Sequence, residues 1–267
     1  MNIRLNGKNY ECNYSSAFDI RKNLFSENDI IIINGFQISD DCILNDNDEV
    51  FVISRGVMPD RNQLEEMMAA RHTPHVHNAV KNGFVGIAGL GGLGSNIAVS
   101  LARTGVGRIL LVDFDIVDPS NLNRQSYYIS HLGMYKTDAL KSQLQQINPF
   151  IKLDIVNTRV TENNAYELFG KCDIVCEAFD SPQAKAMLVN TLLEKCPGVR
   201  IVSGSGMAGL SSSNLIRTTR KIKNLYICGD QHSEAKQGSG LMAPRVQICA
   251  GHQSNMVLRL LTGVEDV

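Results

Sequence analysis

Short apolar stretches separated by turn residues characterise the first 56 positions of the chain. Two of these stretches flank Asn6-Gly7, a pair that favours a tight turn between antiparallel strands. A helix pattern follows Ser15-Ser16, whose hydroxyls can cap a helix N-terminus. The predicted order of strand, strand, helix, strand and strand is that of a small β-grasp, ubiquitin-like domain. The predicted strands are Ile3–Leu5, Asn9–Cys12, Ile30–Ile33 and Val50–Ile53, and the predicted helix ends at Leu24.

The hydrophobic pattern changes after this first module. A polar, helix-like stretch at Leu64–Arg71 and the break at Thr73-Pro74 predict a helical linker at 58–82, between domains at 1–57 and 83–267. From Phe84 onward, buried-strand runs alternate with amphipathic helix patterns, which predicts an α/β fold with a doubly wound, Rossmann-like parallel sheet. The predicted strands are 84–88, 108–112, 151–156, 174–177 and 200–203, and the predicted helices are 93–103, 137–147, 183–195 and 246–261, the last preceded by a long loop at 218–240.

Composition narrows the class of protein. The chain has 26 Lys+Arg against 27 Asp+Glu and 43% hydrophobic residues, so a sizeable core is expected and a basic surface for nucleic acid is not. No apolar run approaches the roughly 20 residues that cross a bilayer, so no membrane partner and a cytoplasmic location are expected. The seven cysteines form no Cys-x-x-Cys pair, so reduced thiols are expected and zinc is not.

A glycine-rich segment follows the first strand of the α/β part. Gly89, Gly91 and Gly94 form a G-x-G-x-x-G pattern at a strand-to-helix junction, and Asp113 ends the next strand. Such glycines let the backbone approach phosphate, the helix N-terminus offers free N–H groups, and the acid can accept ribose hydroxyls. Taken alone, this pattern fits NAD as well as ATP.

The residues that follow Asp113 favour ATP. ATP carries about four negative charges, so a site that attacks its α-phosphate needs cations and a carboxylate for Mg²⁺. Arg124 and Lys136 are the predicted cations in a polar run that a dehydrogenase would not need. Asp180 lies just after the carboxyl end of a third predicted strand, and ligands bind at the carboxyl ends of the strands in such sheets. Asp180 is therefore the predicted Mg²⁺ ligand.

Several motifs together resemble a known family. They are Gly89-Leu90-Gly91-Gly92-Leu93-Gly94, Asp113-Phe114-Asp115, Ser120-Asn121-Leu122-Asn123-Arg124-Gln125, Lys136 and Phe179-Asp180. They resemble the E1-like adenylating enzymes of the ThiF/MoeB/HesA superfamily, and the likeness extends from about Phe84 to the C-terminus. The segment 240–246 and the β-grasp pattern resemble the ThiF forms that carry an N-terminal ThiS-like domain.

The resemblance implies ATP-dependent adenylation of the C-terminal glycine carboxylate of a ubiquitin-like sulfur carrier. The carrier would be ThiS-like and end in Gly-Gly, the pathway would be thiamine thiazole synthesis, and the enzyme would be a homodimer that uses ATP and Mg²⁺. Catalytic roles are implied for Arg124, Lys136, Asp180 as metal ligand, and Arg71 donated across the dimer. Nucleotide contacts are implied for Gly89, Gly91, Gly92, Gly94, Asp113, Asp115, Ser120, Asn121, Arg124 and Lys136.

Two features depart from the family pattern. Many relatives bind zinc through paired cysteines, but Cys228 has no partner at that spacing and keeps only a residual interpretation as a sulfur-handling thiol. The N-terminal module reaches Gly56 and continues into Val57, so its glycine has no free carboxylate to adenylate. We therefore interpret this module as a docking or regulatory copy of the carrier fold.

Other functions stay open from the sequence alone. Within the superfamily, the substrate could be a molybdopterin-type carrier or a tRNA-linked carboxylate, as in the threonylcarbamoyl-adenosine dehydratases. An NAD-dependent oxidoreductase would share the glycine loop and Asp113. A non-catalytic carrier-binding scaffold is a further alternative.

Overall fold

The computed structural model describes residues 1–54, 56, 61, 64–65, 67–68 and 74–267. The chain divides into two compact units, Met1–Asn78 and Ala79–Val267. The predicted linker at 58–82 is described only in part: residues 58–60, 62–63, 66 and 69–73 lie outside the described residues, and these include half of the helix-like stretch at Leu64–Arg71. The helix α2, defined below, contains the boundary between the units.

The N-terminal unit has a β-grasp architecture, as predicted. Its five-stranded sheet has the order β2-β1-β5-β3-β4, in which β1 and β5 are parallel and the other pairs are antiparallel. Asn6 and Gly7 adopt positive φ at the predicted turn, and Ser16 Oγ accepts a hydrogen bond from the Asp19 N–H at 3.2 Å, which caps α1. The elements are β1 (Asn2–Leu5), β2 (Lys8–Glu11), α1 (Ala17–Leu24), β3 (Ile30–Ile33), β4 (Phe36–Gln37) and β5 (Glu49–Ile53).

One helix packs against the sheet of this unit and encloses its core. Ile20 of α1 is fully buried against Ile3, Ile31 and Val50, which lie on three strands. Burial of such aliphatic side chains contributes about 1.5–3 kcal/mol each. The alternating pattern of the first strands therefore reflects one apolar face, while the two-residue strand β4 was too short to predict.

The C-terminal unit contains a seven-stranded sheet of order β11-β12-β10-β9-β6-β7-β8. All neighbouring strands are parallel except the antiparallel pair β11 and β12. This confirms the doubly wound, Rossmann-like sheet. The strands are β6 (Phe84–Ala88), β7 (Arg108–Asp113), β8 (Lys152–Asn157), β9 (Ile174–Glu177), β10 (Arg200–Gly204), β11 (Arg217–Ile222) and β12 (Leu225–Gly229); the helices are α2 (Pro74–Asn82), α3 (Gly92–Arg103), α4 (Lys136–Ile147), α5 (Glu162–Phe169), α6 (Pro182–Lys195) and α7 (Ala243–Leu261).

The predicted long loop at 218–240 is wrong over its first half, where β11 and β12 form a hairpin. β11 is an edge strand whose sequence, Arg-Thr-Thr-Arg-Lys-Ile, is mostly exposed, so its polar composition hid the strand. The eight-residue helix α5 was also missed. Its Ala165 and Phe169 are fully buried against the sheet.

Helices cover the central strands of the larger sheet. Val175 and Ile201 are fully buried together with Leu188 and Leu192 of α6. Strands buried on both faces read as continuous apolar runs, which is why they were recognisable in the sequence. Within the described part of the chain, no helix combines the length and the apolar character that crossing a lipid bilayer requires.

The strand order creates a crevice at one edge of this sheet. The chain passes from β6 to β7 on one side and returns to β9 on the other side of β6. Ligands of open α/β sheets bind beyond the carboxyl ends of the strands at such a reversal. Gly89, Phe114 and Ala178 are the first residues after these three strands.

Candidate functional site

The glycine loop joins β6 to α3 with almost no space for side chains. Gly89 has a φ of +88°, and a Cβ there would lie 2.9 Å from Phe179 Cδ1. A Cβ at Gly94 would overlap the carbonyl oxygen of Gly89. Gly91 forms the N-cap of α3 and carries no side chain that could occupy the helix N-terminus. The first N–H groups of α3 therefore face a place that an anion can occupy.

Asp113 anchors this loop to β7. Its carboxylate accepts hydrogen bonds from the backbone N–H groups of Leu90 at 2.6 Å, Phe114 at 2.7 Å and Asp115 at 2.8 Å. The side chain is buried. This structural role was missed by sequence reasoning, and the contact of Asp113 with ribose stays a prediction.

Tyr127 is a second support of the loop that the sequence analysis did not single out. Its hydroxyl donates to the Leu90 carbonyl oxygen at 2.8 Å. Burial raises the pKa of Tyr127 well above its usual value, and the carboxylates of Asp113 and Asp115 raise it further. The phenol is therefore a stable donor at any physiological pH.

Arg124 lies beside the N-terminus of α3. Its Cγ is 3.5 Å from the position that a Cβ would take at Gly92. Its Nη1 donates to the Ser120 carbonyl oxygen at 3.1 Å and to Asn123 Oδ1 at 2.8 Å. Ser120 and Asn121 form a short helical turn capped by Asp118. The structure thus brings together the predicted residues Gly92, Arg124, Ser120 and Asn121, and the cation adds to the positive end of the helix dipole.

Lys136 is the first residue of α4, and it pairs with Asp115. Lys136 Nζ donates to Asp115 Oδ2 at 3.0 Å, and the Lys136 backbone N–H donates to the Asp115 carbonyl oxygen at 3.0 Å. The lysine side chain is 8% exposed and that of Asp115 is 48% exposed. Both predicted nucleotide contacts therefore lie together after β7.

Asp180 is exposed in the turn between β9 and α6. Its neighbour Ser181 caps α6, since Ser181 Oγ accepts from the Ala184 N–H at 3.4 Å. The carboxylate of Asp180 is therefore not required as the helix cap. Phe179 in the same turn touches the position of a Cβ at Gly89, so this turn adjoins the glycine loop. The predicted catalytic residue Arg71 lies outside the described residues.

The thiols of the larger sheet are buried. Cys228 is fully buried on β12, and burial raises its pKa to about 11, although a hydrogen bond with Thr218 lowers it slightly. Burial also raises the pKa of Cys176 and of Cys249. A protonated, inaccessible thiol is a poor nucleophile, so the structure does not support a sulfur-handling role for Cys228.

A second polar centre follows β12. Arg245 Nη2 donates to Asp230 Oδ2 at 2.5 Å, and both side chains are buried. Arg245 also donates to the carbonyl oxygens of Ser211 and Ser212, so it connects α7 with the segments after β10 and β12. A pocket of about 620 Å³ lies beside this pair, lined in part by Arg217, His232 and Ser233.

Burial alone would raise the pKa of Asp230. The backbone N–H groups of Ser233 and His232, the Ser233 hydroxyl and the Arg245 guanidinium outweigh that effect and lower the pKa to about 2. The carboxylate is therefore ionised at neutral pH, and the pair is a structural ion pair that sequence reasoning missed.

Comparison with known proteins identifies the family. Residues 65–267 match the ThiF family, and residues 1–56 match the ThiS-like ubiquitin family. The chain belongs to the ThiF family. The segments that carry the ThiF resemblance in the sequence therefore lie in a ThiF-family domain, and the first module is a ThiS-like domain.

Curated relatives of this ThiF-family chain include adenylyltransferases. The chain is 32% identical over 185 residues to "Adenylyltransferase and sulfurtransferase UBA4" of Lodderomyces elongisporus, which covers 66% of the chain and 40% of that protein. It is 37% identical over 107 residues to "Probable molybdopterin-synthase adenylyltransferase" of Porphyra purpurea, which covers 40% of the chain and 28% of that protein. The chain thus spans less than half the length of these curated relatives.

Solved structures share the fold of the ThiF-family domain. The E. coli tRNA N6-threonylcarbamoyladenosine dehydratase TcdA, in a complex with AMP, has a TM-score of 0.69 at 22% identity and covers 78% of this chain and 98% of its own. E. coli MccB with ATP has a TM-score of 0.56 at 21% identity and covers 76% of this chain and 63% of its own. At these identities the likeness concerns the fold.

Proposed function

We propose that this ThiF-family chain uses ATP to adenylate the C-terminal glycine carboxylate of a ubiquitin-like sulfur carrier. One observation carries the proposal: Arg124 lies against Gly92 of the glycine loop, at the N-terminus of α3, where helix N–H groups favour an anion. Lys136 follows β7 and Asp180 follows β9, the two strands that flank β6 in the sheet. A nicotinamide cofactor would not require this number of charged groups.

The chemistry requires positioning and charge neutralisation rather than a general base. A peptide carboxyl terminus has a pKa of about 3.3–3.7, so it is already ionised at neutral pH. A carboxylate oxygen attacks the α-phosphorus of ATP, the bond from that phosphorus to the β-phosphate oxygen breaks, and pyrophosphate leaves. Arg124 and Lys136 offset the repulsion between the two anions, and both stabilise the charge that develops on the phosphates.

We assign the nucleotide contacts to residues of the glycine loop and of the segments that flank it. Gly91 lets the backbone approach the phosphates, and Asp113 contacts the ribose while it holds the loop. Asn121 and Arg124 contact the phosphates, and Lys136 contacts the β- and γ-phosphates. Arg71 of a partner subunit completes the charge neutralisation.

Asp180 is the residue that we propose as the Mg²⁺ ligand. It presents an exposed carboxylate beside the glycine loop, and carboxylate oxygens are ligands that Mg²⁺ prefers. Within the described ranges, no group of three His, Cys, Asp or Glu side chains forms a metal cage. A single carboxylate fits, because Mg²⁺ is commonly held by one or two carboxylates together with substrate phosphates. When bound, Mg²⁺ neutralises phosphate charge.

A ThiS-like carrier of thiamine thiazole synthesis is the substrate that we propose. The ThiS-like domain at residues 1–56 supports this choice, because it links the chain to carriers of that fold. The domain itself is not the substrate, since Gly56 is joined to Val57 by a peptide bond. Mass spectrometry that found cleavage after Gly56 would contradict this part of the proposal.

We propose that the chain acts as a homodimer. The segment between β7 and α4 leaves Ile116, Tyr128, Ile129 and Tyr135 between 51% and 77% exposed. Exposed apolar side chains in such number favour an interface. In size-exclusion chromatography with light scattering, an Ile129→Asp variant should have the mass of a monomer, whereas the wild-type chain should have the mass of a dimer.

Exchange of labelled pyrophosphate into ATP tests the proposed reaction. We expect exchange that depends on a carrier ending in Gly-Gly, with a ThiS-type carrier more active than a molybdopterin-type carrier. Arg124→Ala and Asp180→Ala should each lower exchange by about 10²-fold or more, because each removes charge stabilisation of the transition state. Lys152→Ala and Glu167→Ala are matched controls at exposed positions and should exchange normally.

The same assay separates the alternatives. Binding of NADH without any exchange would contradict adenylation and favour the oxidoreductase. Exchange with a tRNA substrate alone would contradict the choice of a protein carrier. Exchange at the wild-type level in Arg124→Ala or Asp180→Ala would refute the role of that residue.

A further inference from the structure

Glu177, the last residue of β9, is a fully buried carboxylate that accepts four hydrogen bonds from three donor groups. Lys185 Nζ donates to both of its oxygens, at 3.1 and 3.0 Å. Ser203 Oγ donates to Oε2 at 2.5 Å, and the Phe179 N–H donates to Oε1 at 2.7 Å. We refer to Glu177, Lys185 and Ser203 as the Glu177 cluster.

Hydrogen bonds of the Glu177 cluster connect β9 with the β9–α6 turn, α6 and β10, and α7 bonds to the Glu177 backbone. Lys185 lies in the first turns of α6, Ser203 lies on β10, and Phe179 lies in the turn between β9 and α6. Lys185 Nζ also donates to the Gly204 carbonyl oxygen at 2.9 Å. Gln253 of α7 donates to the carbonyl oxygen of Glu177 at 3.2 Å. The ends of β9 and β10 and the start of α6 are thus fixed around one carboxylate.

The turn that the cluster fixes is the one that carries Asp180. The Phe179 N–H, which Glu177 binds, immediately precedes Asp180, and Lys185 follows it by little more than one helical turn. The turn also rests against the glycine loop. The Ala178 carbonyl oxygen and Phe179 Cδ1 lie 3.0 and 2.9 Å from the position of a Cβ at Gly89. The residue that precedes Asp180 is therefore bonded to the cluster and packed against the loop.

Stability alone is a weak reason to bury this ion pair. Removing two charges from water is costly, and a well-packed apolar replacement of a buried pair is often as stable or more stable. A buried pair with directional hydrogen bonds does, however, fix geometry. Geometry matters here, because a displacement of about 1 Å in a reacting group can reduce the rate about 10²-fold.

We propose that Glu177, through Lys185 and Ser203, is a positioning residue that holds the Asp180 carboxylate where the metal-bound nucleotide meets the glycine loop. The inference rests on the role proposed above for Asp180. Because Glu177 is fully buried, we assign its effect on Asp180 to the β9–α6 turn and not to direct contact with nucleotide or metal.

The test uses the full chain with Glu177→Gln, which keeps the shape and removes the charge. We expect pyrophosphate exchange to fall about 10²-fold. The Mg²⁺ concentration for half-maximal exchange should rise about tenfold, since a misplaced carboxylate binds the metal less well. The affinity for AMP in EDTA should stay within about twofold, because the glycine loop is unchanged. Lys185→Met should behave like Glu177→Gln, and Lys185→Arg should restore most of the activity.

A metal-binding readout separates this inference from the proposed reaction. Binding of Mn²⁺ to the protein–ATP complex, followed by electron paramagnetic resonance, should weaken in Glu177→Gln even if no carrier supports exchange. In an Asp180→Asn background, Glu177→Gln should weaken Mn²⁺ binding no further, since the two residues act through one carboxylate. If the two substitutions weakened Mn²⁺ binding independently, so that their effects multiplied, the proposal would be overturned. Unchanged Mn²⁺ binding in a folded Glu177→Gln variant would also overturn it. If Glu177→Gln does not fold, the same measurement on folded Ser203→Ala decides.

Discussion

Lys136 and Asp115 form an ion pair of 3.0 Å in which the lysine side chain is buried and the aspartate is half exposed. The ammonium group is therefore held in place by Asp115. An exposed carboxylate is a modest partner, because ion pairs open to water contribute only about 0–1 kcal/mol. A triphosphate, with more charge, can compete for this lysine.

We expect Lys136→Met to weaken ATP binding and exchange by about 10²-fold, because it removes a cation from the terminal phosphates. AMP binding should change by less than about threefold, since AMP lacks those phosphates. Isothermal titration calorimetry with both nucleotides measures the difference. Lys141→Met, on the same helix, is the matched control. Equal losses for ATP and AMP would contradict the assignment of Lys136 to the terminal phosphates.

Gly91 and Gly94 should respond differently to alanine. Gly94→Ala places a methyl group on the Gly89 carbonyl oxygen, so we expect a loss of about 3 kcal/mol or more in the free energy of unfolding. At Gly91 a Cβ would meet nothing closer than Gln125 Nε2 at 3.9 Å. Gly91→Ala should therefore fold but bind ATP more weakly, because its methyl group would occupy space that we propose for the phosphates.

Urea unfolding and ATP titration of both variants check this contrast. A Gly91→Ala variant that binds ATP normally would show that phosphate does not approach this glycine. A stable Gly94→Ala variant would show that the loop can relax away from Gly89.

The Asp230–Arg245 pair should make stability depend on acid pH. The pKa of Asp230 is about 2 in the fold, below its ordinary value of 3.8, so its contribution is fully present above that ordinary value. The contribution is lost as the pH falls from about 4 towards 2. At pH 6 we expect Asp230→Asn to lower the free energy of unfolding by about 2 kcal/mol or more.

Urea unfolding between pH 3 and pH 6 measures this dependence. The difference between wild type and Asp230→Asn should shrink as the pH falls below about 4, because the unfolded wild-type chain then binds a proton at Asp230 that the folded chain does not bind until about pH 2. Asp266→Asn is the control, since the side chain of Asp266 is 81% exposed and its pair with Arg259 should contribute little. A difference that is constant with pH would contradict the lowered pKa.

Cys228 should resist alkylation in the native protein. With a pKa of about 11 it is thiolate in only about one molecule in a thousand at pH 8, and its side chain is buried. Iodoacetamide followed by mass spectrometry should label it only after unfolding in urea. Cys228→Ala should keep pyrophosphate exchange, and rapid native labelling together with lost exchange would revive a sulfur-handling role.

The sequence predicted most of the large sheet, because strands buried on both faces are continuous apolar runs. It missed β11, whose exposed edge position tolerates Arg, Lys and Thr, and with it the buried strand β12, which lay inside the predicted loop at 218–240. The grouping of Arg124 with the glycine loop followed from motif order. The Glu177 cluster did not, because Glu177, Lys185 and Ser203 meet only when β9, β10 and α6 pack. The sequence predicted Asp113 as a ligand contact. Its hydrogen bonds to the loop backbone could not be predicted, because they form only when the turn after β7 is folded.

The cationic character of β11 has a consequence for self-association. Arg217 and Lys221 are exposed on the outermost strand of the large sheet. If the β11 strands of two molecules paired, their like charges would lie within the Debye length of about 8 Å at physiological ionic strength and would repel one another. Edge-to-edge pairing of two copies of β11 is therefore disfavoured, most strongly at low ionic strength. An edge strand of opposite charge would meet no such repulsion.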